Sequence, residues 1–228
     1  MMHEILKSGI PDITEEQISK FERYYEMLLH WNSRMNLTAI TDEEEVARKH
    51  FTDSAAAKSI IPEHANCIDV GTGAGFPGIP LLLLRPDIRM TLLDSLNKRL
   101  LFLHEVTEEL GLDDRVQIVH ARAEDAGQNP DFRGKYDIAL SRAVAGLPVL
   151  LELTVPFLNK KGKSICYKGD AAEELLLSEN ACKKLNCKLE VMDVFSDYGA
   201  RSLVIAERTG EMPKMYPRKA GTPSKNPL

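Results

Sequence analysis

The sequence predicts an α/β protein: a seven-stranded, largely parallel sheet wound by helices on both faces, closed by an antiparallel last strand and preceded by an N-terminal helical extension. Three observations carry this. From Cys67 onward, short apolar runs alternate with helical patterns, as in stacked βα units. A glycine-dense turn, Asp69-Val70-Gly71-Thr72-Gly73-Ala74-Gly75-Phe76-Pro77-Gly78, joins the first apolar run to a helix. The last two strand-like runs, Leu189 to Phe195 and Ser202 to Glu207, are separated only by Ser196 to Arg201. A parallel crossover needs about a dozen residues or more, so this pair must be an antiparallel hairpin.

The elements follow in order. Thr14-Glu15-Glu16-Gln17 is a capping box, and Ile18, Phe21, Tyr25, Leu28 and Leu29 keep helical spacing as far as Trp31-Asn32. One apolar stripe of this kind must pack on something, and its aromatics read as core. Met35-Asn36-Leu37-Thr38 breaks the helix, and Thr41-Asp42-Glu43-Glu44 caps another that leads into His50-Phe51-Thr52-Asp53-Ser54. His50, Asp53 and Ser54 lie within five residues on one turn, without the spatially separate parts of a nucleophile relay, and read as a capping or orienting cluster. Strands are predicted at Cys67–Val70, Met90–Leu93, Val116–Val119, Tyr136–Leu140 and Ser164–Tyr167. Helices are predicted from Ile79, over Asn97–Leu110 with Gly111 as the stop, over Leu147–Phe157 and over Ala171–Leu185. After Arg208 the chain is rich in Pro and cations, which fits either a solvated tail or an extended arm on the domain or on nucleic acid. The expected organisation is a helical extension over 1–64, a sheet domain over 65–208 and a basic arm over 209–228.

Composition narrows the function. The 228 residues with 43% hydrophobic content suffice for one full core, and no apolar run reaches the roughly 18 residues of a membrane span. The start, Met1-Met2-His3-Glu4, lacks a basic-then-apolar leader pattern, so a cytoplasmic protein is expected. Cys67 and Cys166 fall in strands, and Cys182 and Cys187 have no metal-ligand spacing or histidine neighbours, so reduced thiols and no metal are expected. A net charge of −5 requires any nucleic-acid role to rest on local cations.

The glycine turn admits two readings. Gly73-x-Gly75-x-x-Gly78 fits a dinucleotide pyrophosphate, whereas Gly71-x-Gly73-x-Gly75 after Asp69 fits S-adenosylmethionine (SAM). Asp69 would repel a pyrophosphate, and an all-parallel dinucleotide domain would not end in an antiparallel hairpin, so SAM is favoured. Ligands of open parallel sheets lie at the strands' carboxyl ends. Those ends offer Gly71, Gly73, Gly75 and Phe76, then Asp94 at ribose-binding spacing, then Ala123 and Glu124 for an adenine edge, and finally Arg142 and Lys168. Glu124 reads equally as a surface acid. Lys98 and Arg99 oppose the dipole of the helix they begin, which marks them either as phosphate contacts or as plain surface cations. The position after the fourth strand reads Ser141-Arg142-Ala143-Val144 rather than an Asp/Asn-Pro-Pro-Tyr/Phe motif, and there is no Pro-Cys nucleophile. A nucleophile with its own lone pair, such as a purine N7, needs only alignment with a sulfonium donor, so no catalytic residue is assigned.

The chain resembles the bacterial 16S ribosomal RNA guanine-N7 methyltransferase family (RsmG/GidB) over nearly its full length. The resemblance lies in Trp31-Asn32, Met35 to Thr38, His50 to Ser54, Asp69 to Gly78, Asp94-Ser95, Lys98-Arg99, Arg122-Ala123-Glu124, Ser141-Arg142-Ala143 and Pro217 to Pro223. Ala220 departs from the Pro of many relatives. The resemblance implies a SAM-dependent methyltransferase fold and methylation of guanine N7 in the 530 loop, with the cofactor on Gly71, Phe76, Ala123, Glu124 and Arg142. The partner implied is 16S RNA or the small ribosomal subunit, met by a protein expected to be a monomer. On this reading His50, Lys98, Arg99, Arg142, Lys168, Arg201, Arg218, Lys219 and Lys225 face RNA, and the tail contacts RNA or closes the site.

Overall fold

The predicted capping box forms: Thr14 Oγ1 accepts from the Gln17 amide at 3.2 Å, and Gln17 Oε1 accepts from the Thr14 amide at 3.0 Å. In the computed structural model, which describes all 228 residues, this box opens α2 (Glu15–Asn32), behind a first helix α1 (Met2–Gly9) that the sequence pattern did not reveal. The buried stripe of α2 is Ile18, Phe21, Tyr24 and Leu28, not the predicted set with Tyr25 and Leu29. Both spacings are helical. Tyr24 goes inside because its hydroxyl finds the buried Ala74 carbonyl, while that of Tyr25 reaches the Thr41 carbonyl at the surface.

The next helix is capped from within the predicted Thr41–Glu44 run, by Asp42, whose Oδ1 accepts from the Glu45 amide at 3.0 Å. It runs as α3 (Glu43–Val46), a π-helical stretch Ala47–Thr52, and α4 (Asp53–Ala55). Such π turns put an extra residue into the helix and recur at functional sites. Here the turn carries Lys49 and His50.

The sheet comprises β1 (Asn66–Val70), β2 (Arg89–Asp94), β3 (Val116–His120), β4 (Tyr136–Arg142), β5 (Leu158–Lys168), β6 (Cys187–Asp193) and β7 (Ser202–Arg208). Its order is β3-β2-β1-β4-β5-β7-β6. The first five strands are parallel, and β7 is inserted antiparallel between β5 and β6, so the expected fold is the observed one. The β5–β7 register pairs Lys168 with Ser202, which brings the β6–β7 loop to the carboxyl edge of the parallel strands.

Helices α5 (Gly78–Leu84) and α6 (Asn97–Glu109) follow β1 and β2; α7 (Ala123–Ala126) follows β3, and α8 (Leu147–Thr154) follows β4. The predicted helix over Ala171–Leu185 is two, α9 (Ala172–Leu177) and α10 (Glu179–Leu185). Ser178 breaks it by returning its hydroxyl to the Glu174 carbonyl at 2.7 Å.

Alternate residues of the central strands face opposite cores. Cys67, Ile138, Leu140 and Ile165 pack with α1, α2, α5 and α6, where Phe21, Tyr24, Phe51, Phe76 and Phe102 form one aromatic cluster. Ile68, Val70, Ala139 and Cys166 pack with α8 and α10 on the other side. The tail belongs to this second side. Tyr216 and Leu228 are buried there, and Arg218 grips the fully buried Glu152, with Nη2–Oε2 at 2.6 Å and Nε–Oε1 at 2.8 Å. Of the two readings of the tail, the arm on the domain is the observed one, ending in α11 (Thr222–Lys225). Segments 1–64 and 209–228 therefore cover opposite faces of the sheet.

Candidate active site

The glycine loop is pinned at both ends by carboxylates. Asp69 Oδ2 accepts from Thr72 Oγ1 at 2.7 Å and from the Gly78 amide at 3.0 Å. Asp94 Oδ2 accepts from the Gly73 amide at 2.9 Å, and Asp94 Oδ1 from the Leu96 amide at 2.8 Å. Gly71 and Gly73 adopt φ of +73° and +61°, a region that costs other residues a clash. At Gly71 a Cβ would also lie 2.6 Å from Val144 Cγ2. Any side chain there closes the gap between β1 and the β4–α8 loop.

That gap is a cavity of about 410 Å³ at the tips of β1, β2, β3 and β4. Its apolar walls are Leu93, Ala121, Val144 and Leu153, with Gly71, Asp94, Ala123 and Glu124 around them and Ser224 of the tail along one side. Of the roughly four acceptor positions of a carboxylate, Asp94 uses three, the third on Arg99 Nη1 at 3.3 Å. Glu124 accepts from the Gly221 amide at 2.8 Å. Burial works against its charged form, yet the Gly221 and Glu124 amides and Arg122 together hold its carboxyl below the usual range.

A second cavity, about 360 Å³, opens on the other side of β4 and shares Ala143 with the first. Ala143 sits at φ +56°, a left-handed conformation rare outside glycine, at the junction of the two. Arg142 leaves β4 into this cavity and donates to the Lys49 carbonyl and Asp53 Oδ2, each at 3.0 Å, and to His50 Nδ1 at 3.2 Å. Its guanidinium carbon lies 5.0 Å from the Phe76 ring centre, and His50 stacks on the same ring at 4.5 Å. His50 Nδ1 lies 3.2 Å from both Arg142 Nη2 and the Lys49 carbonyl, and Nε2 faces Thr38 Oγ1 at 2.9 Å. Burial and the Arg142 charge push the His50 imidazole down to about 3, so it stays neutral. Asp53 also meets Tyr198 at 3.1 Å and Arg201 at 3.3 Å, both from the β6–β7 loop. Beside them Lys168 pairs with Glu174 at 2.7 Å.

Several sequence-based assignments are redrawn. Asp69 is fully buried and does not reach the first cavity; it holds the loop, and burial raises its carboxyl to about 6. Gly75 faces Tyr24, Ile79 and Leu103 instead of the cavity. Phe76 is buried under His50 and Arg142 rather than against the first cavity, and Arg142 lines the second. Arg99 faces Asp94 in the first cavity, whereas Lys98 is exposed and unpaired. Arg218 is consumed by Glu152, so it is removed from the set of RNA cations; Lys219 and Lys225 remain exposed. Lys168, Arg201 and His50 do line the second cavity. No local pattern marks Glu174 or Tyr198, which reach the site only through packing. A further cavity, about 760 Å³ between α1 and the β6–β7 loop, is lined by Asp53 and Tyr198 but by none of the residues predicted to hold cofactor or RNA.

The model of the GidB family, described as rRNA small subunit methyltransferase G, matches residues 17–204. The chain belongs to this family. It is 48% identical over 222 residues to ribosomal RNA small subunit methyltransferase G of Acetivibrio thermocellus, covering 95% of this chain and 91% of that protein. It is 45% identical to the protein of the same name from Lactococcus lactis, covering 95% and 93%. The family's fold extends to distant methyltransferases. A putative O-methyltransferase from Klebsiella pneumoniae superposes with a TM-score of 0.58 at 14% identity, covering 91% of this chain and 96% of that one. TYW2 of M. jannaschii in complex with AdoMet gives 0.54 at 17% identity, covering 68% and 74%.

Proposed function

We propose that this protein transfers the methyl group of SAM to N7 of a guanine in the 530 loop of 16S RNA, with the cofactor in the first cavity and the base in the second. The observation that carries this is the pair of cavities meeting at Ala143, in a member of a family described as small-subunit rRNA methyltransferases. The first cavity fits a nucleoside carrying an amino acid. Asp94 keeps an acceptor position for ribose hydroxyls, the apolar walls suit an adenine ring, and the glycine at 71 leaves room that a Cβ would fill. SAM supplies a methyl group already activated on a sulfonium. The chain has to align it with N7 and keep water out, and N7 holds a lone pair that needs no base. Neutral His50 and the paired Arg142 suit that task, since neither acts as an acid towards N7.

Lys98, Lys219 and Lys225, exposed and unpaired, supply cations for the RNA backbone, and the arm closes the cofactor cavity through Ser224. Labelled SAM and small subunits from an unmodified strain should give one labelled guanine, which strand cleavage specific for N7-methylguanine locates; label elsewhere sinks the proposal. Lys98→Ala should lower the slope of log K against log salt for subunit binding by about 1 and leave SAM affinity unchanged.

A further inference from the structure

Lys168 and Glu174 form an ion pair on the wall of the second cavity, with Lys168 Nζ 2.7 Å from Glu174 Oε2. Lys168 is nine-tenths buried, a costly place for a cation whose only evident purpose is to hold a helix end. An ammonium has three protons. One goes to Glu174 and one to the Ala145 carbonyl at 3.1 Å, which leaves the third uncommitted. Glu174 Oε2 also accepts from the Leu147 amide, whereas Oε1 has no partner. The cavity therefore presents a donor and an acceptor held side by side by the fold.

We propose that this pair reads the guanine: Lys168 donates to O6, and Glu174 Oε1 accepts from N1–H and the 2-amino group. The inference rests on the guanine-N7 reading above. Guanine carries an acceptor, O6, and a donor, N1–H, on neighbouring atoms, and adenine carries the reverse order at the same positions. A fixed donor–acceptor pair thus matches one purine at both atoms and opposes the other at both.

The order of the contacts along the chain agrees. Around guanine the sequence of groups is N7, O6, N1 and the 2-amine. Along the β4–α8 loop, Ala143 borders both cavities, the Ala145 carbonyl holds Lys168, and the Leu147 amide holds Glu174. With O6 on Lys168 and N1 on Glu174, N7 is the group before O6, as Ala143 is the second-cavity residue before Ala145 along the loop.

The test uses small subunits reconstituted from unmodified 16S RNA carrying either guanine or inosine at the target. Inosine keeps N7, O6 and N1–H and lacks only the 2-amine. The wild-type protein should methylate guanine about 10-fold faster than inosine in kcat/KM, the worth of one hydrogen bond to a charged group. In Glu174→Gln the amide oxygen can keep the Lys168 contact while the amide nitrogen faces the base as a donor. Its guanine rate should fall about 10- to 100-fold, its guanine-to-inosine ratio should approach one, and SAM affinity should be unchanged. A merely structural role for Glu174 would lower both rates and preserve the ratio, which overturns the assignment. A wild-type ratio of one overturns it without any variant. A wild-type protein that labels neither particle removes the underlying reading as well.

Discussion

The two cavities that meet at Ala143 are built from opposite materials. The first is walled largely by backbone and small or apolar side chains, with two pinned carboxylates, Asp94 and Glu124, of which Asp94 retains acceptor capacity. The second is a knot of full charges, Arg142, Asp53, Arg201, Lys168 and Glu174, nearly all already satisfied by one another. The first cavity accepts a ligand by shape and by the acceptors that the glycine loop and α7 hold in place. A charged knot accepts one by exchange of partners, and it discriminates strongly because a wrong guest leaves buried charges unpaired. In a chain of net charge −5, the cations beside the site are held by the protein's own carboxylates, and only exposed ones such as Lys98 are free for phosphate.

The sharpest break of this contrast is Arg142→Ala. Asp53 is only 8% exposed and would keep Arg201 but lose its closest cation, and His50 and the Lys49 carbonyl would lose a donor as well. Breaking such a pair costs about 3–5 kcal/mol. Urea unfolding should show that loss together with lost transfer. An Arg142→Ala protein of wild-type stability would show that the knot is not a structural clamp.

Asp94→Ala acts on the other cavity. Removing a charged acceptor from the ribose edge should weaken SAM binding by about 10- to 100-fold, with a smaller stability cost from the orphaned Gly73 and Leu96 amides. Calorimetric titration with SAM measures it, and unchanged affinity would remove Asp94 from the cofactor site.

Asp69→Asn has the smallest effect and tests the loop beneath both cavities. The carboxyl of Asp69 is raised to about 6, chiefly by burial, against roughly 3.9 in an unfolded chain. Between those values the folded protein holds a proton that the unfolded chain has released. The stabilisation is thus fully present below about pH 4 and lost as pH rises through 6. Asparagine stays neutral throughout and can still accept from Thr72 and Gly78. Relative to wild type, the variant should therefore gain about 1–3 kcal/mol between pH 4.5 and 8, read from urea midpoints at the two pH values. A difference that does not change with pH would mean that Asp69 is ionised in the fold across this range.

Much of the fold could be read before any coordinates. The capping box at Thr14, the Asp69–Gly78 turn and the short gap between the last two strands each act through neighbouring residues, so local rules suffice for them. The misreadings are also instructive. Tyr24 and Tyr25 share the same spacing with the stripe, and only a carbonyl on a different element, Ala74, chose between them. Arg218 looked like a nucleic-acid cation because its partner Glu152, a lone acid in the apolar run Leu150 to Leu153, lies sixty-six residues earlier and nothing local links the two.

The sequence by itself determined the succession of strands from β1 to β7, the glycine loop and the acid at the end of the second strand, because backbone conformation and strand polarity follow from residues close in the chain. Only the tertiary structure decided which charges are spent and which are free. Asp53 and Arg218 find their ionic partners, Arg142 and Glu152, across distant elements, and electrostatic pairing depends on distance in space, which a linear pattern does not encode.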